Sequence, residues 1–258
     1  MISEAYLISF TSKLIREIKK KIPLVSKKIK FISKKSSIVD PVTEIDVEME
    51  KIIRNTIKKN FKNHNIIGEE LEDENINSNY TWIIDPIDGT KSLILNLPTW
   101  SNLVGLYYKK KCIFSFANFP MLGKTFIGTS KSSFLLIGKK KNKIKTNKIA
   151  RVDNMKLAIN TLHPLKYKKV DKFIKNYKGF FRTTASDSYN FCSVAEGKLD
   201  VLIESGLKIV DILPIVKIVE SSGAIITNWS GEKKFECGKV VVASNKKIHQ
   251  FILKKIKY

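Results

Sequence analysis

Cysteine and histidine are scarce in this sequence, three of each in 258 residues. Cys112, Cys192 and Cys237 are odd in number, far apart and set in apolar surroundings, so neither a disulfide framework nor a zinc knuckle is indicated. His64, His163 and His249 share no spacing, which removes the HExxH type of metal site. Long apolar runs are missing too. Nothing approaches the roughly 18 residues that a membrane span needs, and the start MISEAYLISFTSKLIREIKK has no apolar core followed by a small-residue cleavage site. The expectation is a soluble, cytoplasmic protein with no membrane partner. Twelve Gly, seven Pro and 43% apolar residues exclude collagen, coiled coil and disorder for the chain as a whole. The length suits one large domain or two packed halves.

Acid is also in short supply, 24 Asp and Glu against 47 Lys and Arg, for a net charge of +23. That balance invites a nucleic-acid reading. Arginine, however, is the residue whose planar fork pairs bidentately with phosphate and guanine, and only Arg16, Arg54, Arg151 and Arg182 are present. The remaining 43 basic residues are lysines spread over almost every segment, alongside abundant Ile and Asn, which reads as compositional bias. No specific nucleic-acid partner is expected; small anionic ligands should still be attracted at low salt.

Periodicity predicts a helix over 3–22 followed by a basic loop, and a second, amphipathic helix from Thr43 to about Phe61 carrying Ile45, Met49, Ile52, Ile53 and Ile57 on one face. Short β-type runs follow at 66–67 and 82–84, then a meander of strands and turns over 101–137. The most basic stretch, 138–145, reads as a solvated hairpin turn. From Met155 strands and helices alternate: strand 157–161, helix after Pro164, strand near 180, helix 187–196, strand 199–203, helix 211–222, strands 224–228 and 239–243, and helix 245–255. With the seam near 146–156, residues 1–150 form an N-terminal α+β half and 151–258 a C-terminal α/β half.

The chemistry concentrates in WIIDPIDGT at 82–90. A buried strand delivers Asp85 and Asp88 at its end, and Pro86 and Gly89 are expected to turn the chain immediately. Two acids three residues apart repel unless a cation lies between them. Mg²⁺ suits such a pair, with the Ile87 carbonyl as a neutral oxygen ligand; ordering a β-turn is the plainer alternative. Glu69 and Glu70 follow the apolar pair Ile66-Ile67, and Asp211 follows Ile209-Val210 at a helix start where capping also explains it.

Together GEE at 68–70, WIIDPIDGT at 82–90, Asp211 with SSGAIITNWSG at 221–231, and SSIVDPVTEID at 36–46 resemble the inositol monophosphatase superfamily of Mg²⁺-dependent, lithium-sensitive phosphatases. FANFPMLG at 116–123 and SDSY at 186–189 are closest to its histidinol-phosphatase branch, with Asn118-Phe119 where the branch has Asp-Gln and Val210 where inositol enzymes have Trp. The resemblance implies an inositol-monophosphatase-like fold with alternating α-β-α-β-α layers, an antiparallel N-terminal sheet and a smaller C-terminal one. It implies Glu69, Asp85, the Ile87 carbonyl, Asp88 and Asp211 as ligands of two or three Mg²⁺ ions. Glu69, Thr90 and Asp46 are the implied catalytic set, with Thr90, bonded towards Asp46, orienting the attacking water. Asp88, Gly89 and Thr90 would meet the phosphate, and Asp187 and Glu204 the leaving group. A small phosphorylated substrate and a homodimer are implied as well. The activity expected is hydrolysis of L-histidinol phosphate in histidine biosynthesis. Alternatives are an inositol-1-monophosphatase or broad sugar phosphatase, a 3′-phosphoadenosine 5′-phosphate phosphatase, and a non-catalytic basic nucleic-acid-binding protein.

Overall fold

Leu7, Phe10, Leu14 and Ile18 recur at helical spacing and form the buried stripe of α1 (Glu4–Ile32). In the computed structural model, which describes residues 2–32, 44–184 and 186–256, this helix runs beyond the expected end at residue 22 and takes in the stretch read as a basic loop. Pro23 removes one backbone donor, but the lysine and isoleucine around it are helix-compatible and carry the helix on. The start expected at Thr43, and most of the 36–46 motif, lie outside the described residues. α2 (Glu44–Asn60) buries Ile45, Met49, Ile53 and Ile57 on the face expected.

β1 (Asn65–Ile67) and β2 (Tyr80–Asp88) lead into the short α3 (Thr90–Ile94). Then come β3 (Ser101–Tyr108), β4 (Lys111–Phe119), β5 (Lys124–Gly128), β6 (Ser133–Ile137) and β7 (Lys140–Ile144). These seven strands lie side by side in chain order, antiparallel throughout except for the parallel β1–β2 pair. The basic stretch 138–145 is only partly a turn: Gly138 and Lys139 reverse the chain, and Lys140, Lys141, Asn142 and Lys143 stand exposed on the edge strand β7.

The rest of the chain adds β8 (Leu157–Ile159), α4 (Lys168–Asn176), β9 (Phe181–Thr183), α5 (Asp187–Ala195), β10 (Val201–Glu204), α6 (Ile209–Ile212), α7 (Val216–Ser222), β11 (Ile225–Thr227), β12 (Val240–Ala243) and α8 (Lys246–Ile256). Its five strands form a mixed sheet in the order β11-β12-β10-β8-β9. The single helix expected over 211–222 is broken: Pro214, lacking an N–H, sits in a 3₁₀ turn (Leu213–Ile215) between α6 and α7.

Three apolar clusters show why the elements stack. Side chains of α1 and α2 pack on one face of the large sheet with Trp82, Ile84, Val104, Phe114 and Phe116. The alternate residues of the same strands, among them Ile83, Leu103, Phe119 and Phe126, meet α5, α7 and the inner face of the small sheet. That sheet alternates likewise. Leu202, Val240 and Val242 point inward, whereas Val201, Ile203, Val241 and Ala243 pack against α4 and α8. The layers are therefore α-β-α-β-α, as the motifs imply. Cys112 and Cys192 are buried and Cys237 is exposed, all three unbridged. Among the described residues no helix is long and apolar enough to cross a membrane.

Candidate active site

The turn expected directly after Asp85 is postponed by three residues. β2 continues through Pro86 to Asp88, and its pairing with β3 slips there: Asp85 stands opposite Leu103 and Asp88 opposite Ser101, so one extra residue is absorbed as a bulge. Without the bulge, side chains three apart in a strand would face opposite ways; with it, Asp85 and Asp88 come close enough to repel each other. Pro86 offers no N–H, and its carbonyl is claimed by Asn102 Nδ2 at 2.7 Å. Asn118 Nδ2 donates to Asn102 Oδ1 at 3.0 Å, and Thr125 Oγ1 donates to Asn118 Oδ1 at 2.9 Å, a buried relay across three strands that needs the amide at 118 as a donor. Gly89, at φ +84°, then turns the chain into α3, in a left-handed conformation that disfavours any side chain.

Carboxylate oxygens of Glu69, Asp85 and Asp211 lie within 4.8 Å of one another. Asp85 is only 1% exposed, and its Oδ1 is buried without a hydrogen-bond partner. Burial pushes its carboxyl well up, and Asp88, Glu69 and Asp211 push it further. Asp211 is not the N-cap residue itself but closes a capping box with it. It is the third residue after Lys208, whose backbone N–H donates to Asp211 Oδ2 at 2.6 Å, and burial with the charge of Asp88 raises its carboxyl to about 7. Lys208 Nζ meets Glu69 Oε1 at 2.7 Å, one exposed cation against three acids. Asp88 stays outside the mutual triad. Its Oδ2 accepts from the backbone N–H of Ser188 at 3.3 Å, from the Ser188 hydroxyl, and from Ser101 Oγ at 3.4 Å. Burial raises its carboxyl while the Ser188 donors oppose the rise.

Several carboxylates pressed together, one with an orphaned buried oxygen, repel one another, and either protons or a bound cation relieves that repulsion. The donors are all oxygen, which selects a hard ion such as Mg²⁺ over zinc or copper. The residues present fit that ion.

Thr90 Oγ1 donates within reach of two acceptors, Asp46 Oδ1 at 3.4 Å and the Ile87 carbonyl at 3.3 Å, so two of the three residues of the expected catalytic set, Thr90 and Asp46, lie within hydrogen-bond reach of each other. Burial, then the charges of Asp46, Glu69 and Glu50, hold Glu70 at about 7. A second acidic group adjoins the first. Asp187 is the first residue of α5, and Ser186 rather than Asp187 is the cap, accepting the N–H of Tyr189. Burial and the charge of Asp88 raise Asp187 to about 8, and its Oδ1 has no partner. Glu204, 1% exposed, accepts the N–H of Asn160 on one oxygen and leaves Oε2 unpartnered; burial and Asp187 push it well up. Buried and unpartnered beside them are Asn160 Oδ1 and Ser205 Oγ. Two surface cavities of about 960 and 510 Å³ lie elsewhere, one lined by Lys148, Arg151 and Lys247, the other by Lys13, Arg16 and Lys59.

Sequence reasoning overlooked Ser101 and Ser188, the donors to Asp88, and the pair Glu50 and Arg54 beneath Glu69. Ser188 contacts an acid 100 residues away, and no local spacing encodes that. Glu50 and Arg54 left a trace, opposite charges four apart on the buried side of α2.

The model of the inositol monophosphatase family matches residues 4–257. A chloroplastic bifunctional phosphatase of Arabidopsis thaliana is 31% identical over 235 residues, 85% of this chain and 66% of that protein. A histidinol-phosphatase of Chlorobaculum parvum is 25% identical over 214 residues, covering 80% of this chain and 79% of its own. Among solved structures, a hypothetical protein of Pyrococcus horikoshii with similarities to inositol-1 monophosphatase superposes with a TM-score of 0.81 at 25% identity, over 99% of this chain and 100% of that one.

Proposed function

The chain belongs to the inositol monophosphatase family, and from that membership we propose a Mg²⁺-dependent hydrolase that converts L-histidinol phosphate to L-histidinol and phosphate. The observation that carries the substrate is the second acidic group. Glu204 is buried and Asp187 half-buried, each has a buried oxygen that nothing bonds, and desolvation pushes both towards the protonated form. A polyol could offer hydroxyl donors there. Only a cationic leaving group, such as the ammonium of histidinol, also repays the charge.

Glu69, Asp85, Asp88, Asp211 and the Ile87 carbonyl would hold two or three Mg²⁺ ions. Bound Mg²⁺ supplies positive charge against the phosphate dianion and makes a water more acidic. With its hydroxyl hydrogen given to Asp46 Oδ1 or to the Ile87 carbonyl, Thr90 Oγ1 would accept a hydrogen bond from the attacking water on a lone pair. A proton taken at Thr90 Oγ1 has Asp46 Oδ1 as its next acceptor. Ser188 and Ser101 fix the Asp88 carboxylate, and Gly89, with no side chain at φ +84°, would let the phosphate approach the backbone closely. Ammonium capture by Asp187 and Glu204 orients the leaving group.

Thr90→Ala and Glu69→Gln should lower kcat and kcat/KM together, with KM within about threefold of wild type, because both act on the water and not on substrate binding. A large rise in KM at unchanged kcat, read from steady-state phosphate release, would move them to the substrate pocket. Asp187→Asn leaves the Ser186 cap in place and removes one charge. It should cost about ten- to a hundred-fold in kcat/KM on histidinol phosphate, the value of a charge-assisted hydrogen bond, and leave p-nitrophenyl phosphate within about threefold. Equal losses on the two esters would make Asp187 structural, and wild-type preference for inositol 1-phosphate would put a neutral polyol substrate in the lead.

A further inference from the structure

α2 carries three polar side chains in one stripe, Asp46, Glu50 and Arg54, at successive four-residue intervals. Their relative exposures are 2%, 0% and 4%. The apolar side of the helix already anchors it to the sheet through Ile45, Met49, Ile53 and Ile57. A buried ion pair is an expensive way to add stability, since apolar residues of similar volume often do as well or better. The pair invites a second role, and its hydrogen bonds indicate which.

Every polar atom of the pair is used, and most of the bonds go to one irregular segment, residues 68–74. Arg54 Nε donates to Glu50 Oε1 at 2.7 Å. Glu50 Oε2 accepts the backbone N–H of Glu70 at 2.8 Å, Arg54 Nη2 donates to the Leu71 carbonyl at 3.0 Å, and Nη1 meets Glu74 Oε1 at 3.1 Å. At its base the segment is fixed by reciprocal backbone bonds between Ile66 and Glu74. Its tip, which carries Glu69, is held to α2 by the side chains. Gly68 permits the approach: a Cβ there would stand 1.9 Å from Glu50 Oε1 and 2.6 Å from Arg54 Nη2.

We propose that Glu50 and Arg54 are positioning residues of the metal centre, which clamp the 68–71 backbone so that the Glu69 carboxylate meets Asp85 and Asp211. The inference rests on the metal-dependent reading above. Because Asp46 lies one turn before Glu50 on the same helix, α2 sets the place of Glu69 and the place of the Thr90 acceptor together. A change at either end of the stripe moves the other.

The test is a calorimetric Mg²⁺ titration of the metal-stripped, full-length protein. In the double variant Glu50→Leu/Arg54→Met the buried charges leave together, so its thermal midpoint should stay within a few degrees of wild type. Its Mg²⁺ dissociation constant should rise about ten- to a hundred-fold, the usual cost of losing a group that orients a metal ligand. In assays of phosphate release, the Mg²⁺ concentration for half-maximal rate should rise with it, while the KM for substrate at saturating Mg²⁺ holds. Gly68→Ala keeps both charges and crowds them, and should weaken Mg²⁺ in the same direction; it decides the matter if the double variant fails to fold. Wild-type Mg²⁺ affinity in a folded double variant, or in Gly68→Ala, overturns the proposal. Absence of Mg²⁺ binding by the wild-type protein would instead overturn the metal-dependent reading itself.

Discussion

Asp85→Asn should lower turnover about a thousand-fold or more and at the same time raise the melting temperature of the metal-free protein. The two effects share one cause. Asp85 lies at the centre of the carboxylate cluster, 1% exposed, with Oδ1 unbonded and its carboxyl pushed up first by burial and then by Asp88, Glu69 and Asp211. Without a cation this arrangement is repulsive, and a neutral amide of the same shape relieves it. With substrate present the same amide removes a negative ligand from ions that contribute several kcal/mol to transition-state charge, and each 1.36 kcal/mol is a factor of ten in rate. Asp88→Asn should inactivate similarly with a smaller gain in stability, because the donors from Ser188 and Ser101 offset part of the burial that raises its carboxyl. Single-turnover phosphate release and melts in chelator, run on both variants, check the claim. Near wild-type kcat at saturating Mg²⁺ in either variant would remove that carboxylate from the metal site.

In chelator, the wild-type protein should become less stable as pH rises from about 4 to 8, and Mg²⁺ should reverse the trend. Asp211 and Glu70 are raised to about 7, and Asp187 to about 8, all by burial first and by neighbouring carboxylates second. Over this interval the folded chain keeps protons that the unfolded chain, titrating near 4, has released. The native state therefore binds more protons than the unfolded state, and stability falls as pH climbs through 7 to 8. Glu17, Glu74 and Glu220, which basic neighbours hold low, contribute with the opposite sign at more acid pH, and His64 and His249, lowered by burial, oppose the trend below about 6.5, but the raised carboxyls of Asp85, Glu70, Asp187, Glu204 and Asp211 outnumber the two histidines. Mg²⁺ requires the ionised acids, so its stabilisation grows with pH. A single site at a hundred times its dissociation constant adds about 2.7 kcal/mol, or ~5–10 °C for a chain of this size. Scanning calorimetry at pH 5 and 8, in chelator and in Mg²⁺, should show a large shift at pH 8 and a small one at pH 5. Equal shifts at both pH values would mean that the raised carboxylates are not those that meet the ion.

The layer order was legible because each layer has its own period. Helical stripes such as Leu7, Phe10, Leu14 and Ile18, and alternating strands such as 201–204 and 240–243, both face the clusters that their spacing indicates. Acids at strand ends were legible as a set, and the carboxylates of Glu69, Asp85 and Asp211 do gather. Hidden were the features decided by tertiary contact. The bulge at Pro86 depends on an amide from Asn102, sixteen residues on, and the anchoring of Asp88 depends on Ser188. Asn118, which in sequence only departs from a family pattern, supplies the donor that completes the relay. Misplaced boundaries have equally local causes. The helix expected to end at residue 22 runs on through Pro23, whereas Pro214 falls inside the helix expected over 211–222 and breaks it.

The row of lysines on β7 has a use apart from any ligand. β7 closes one side of the seven-stranded sheet, and along that side its backbone donors and acceptors have, among the described residues, no further strand to pair with. Such a rim is a template on which another chain can add itself. Lys140, Lys141 and Lys143 stand exposed along it, so a second copy arriving in register brings three positive charges against three. The repulsion acts before backbone contact and reaches about 8 Å at physiological ionic strength, contracting to about 3 Å in molar salt. Part of the lysine surplus of this chain thus guards its fold against sheet-to-sheet polymerisation, and that guard weakens as salt rises.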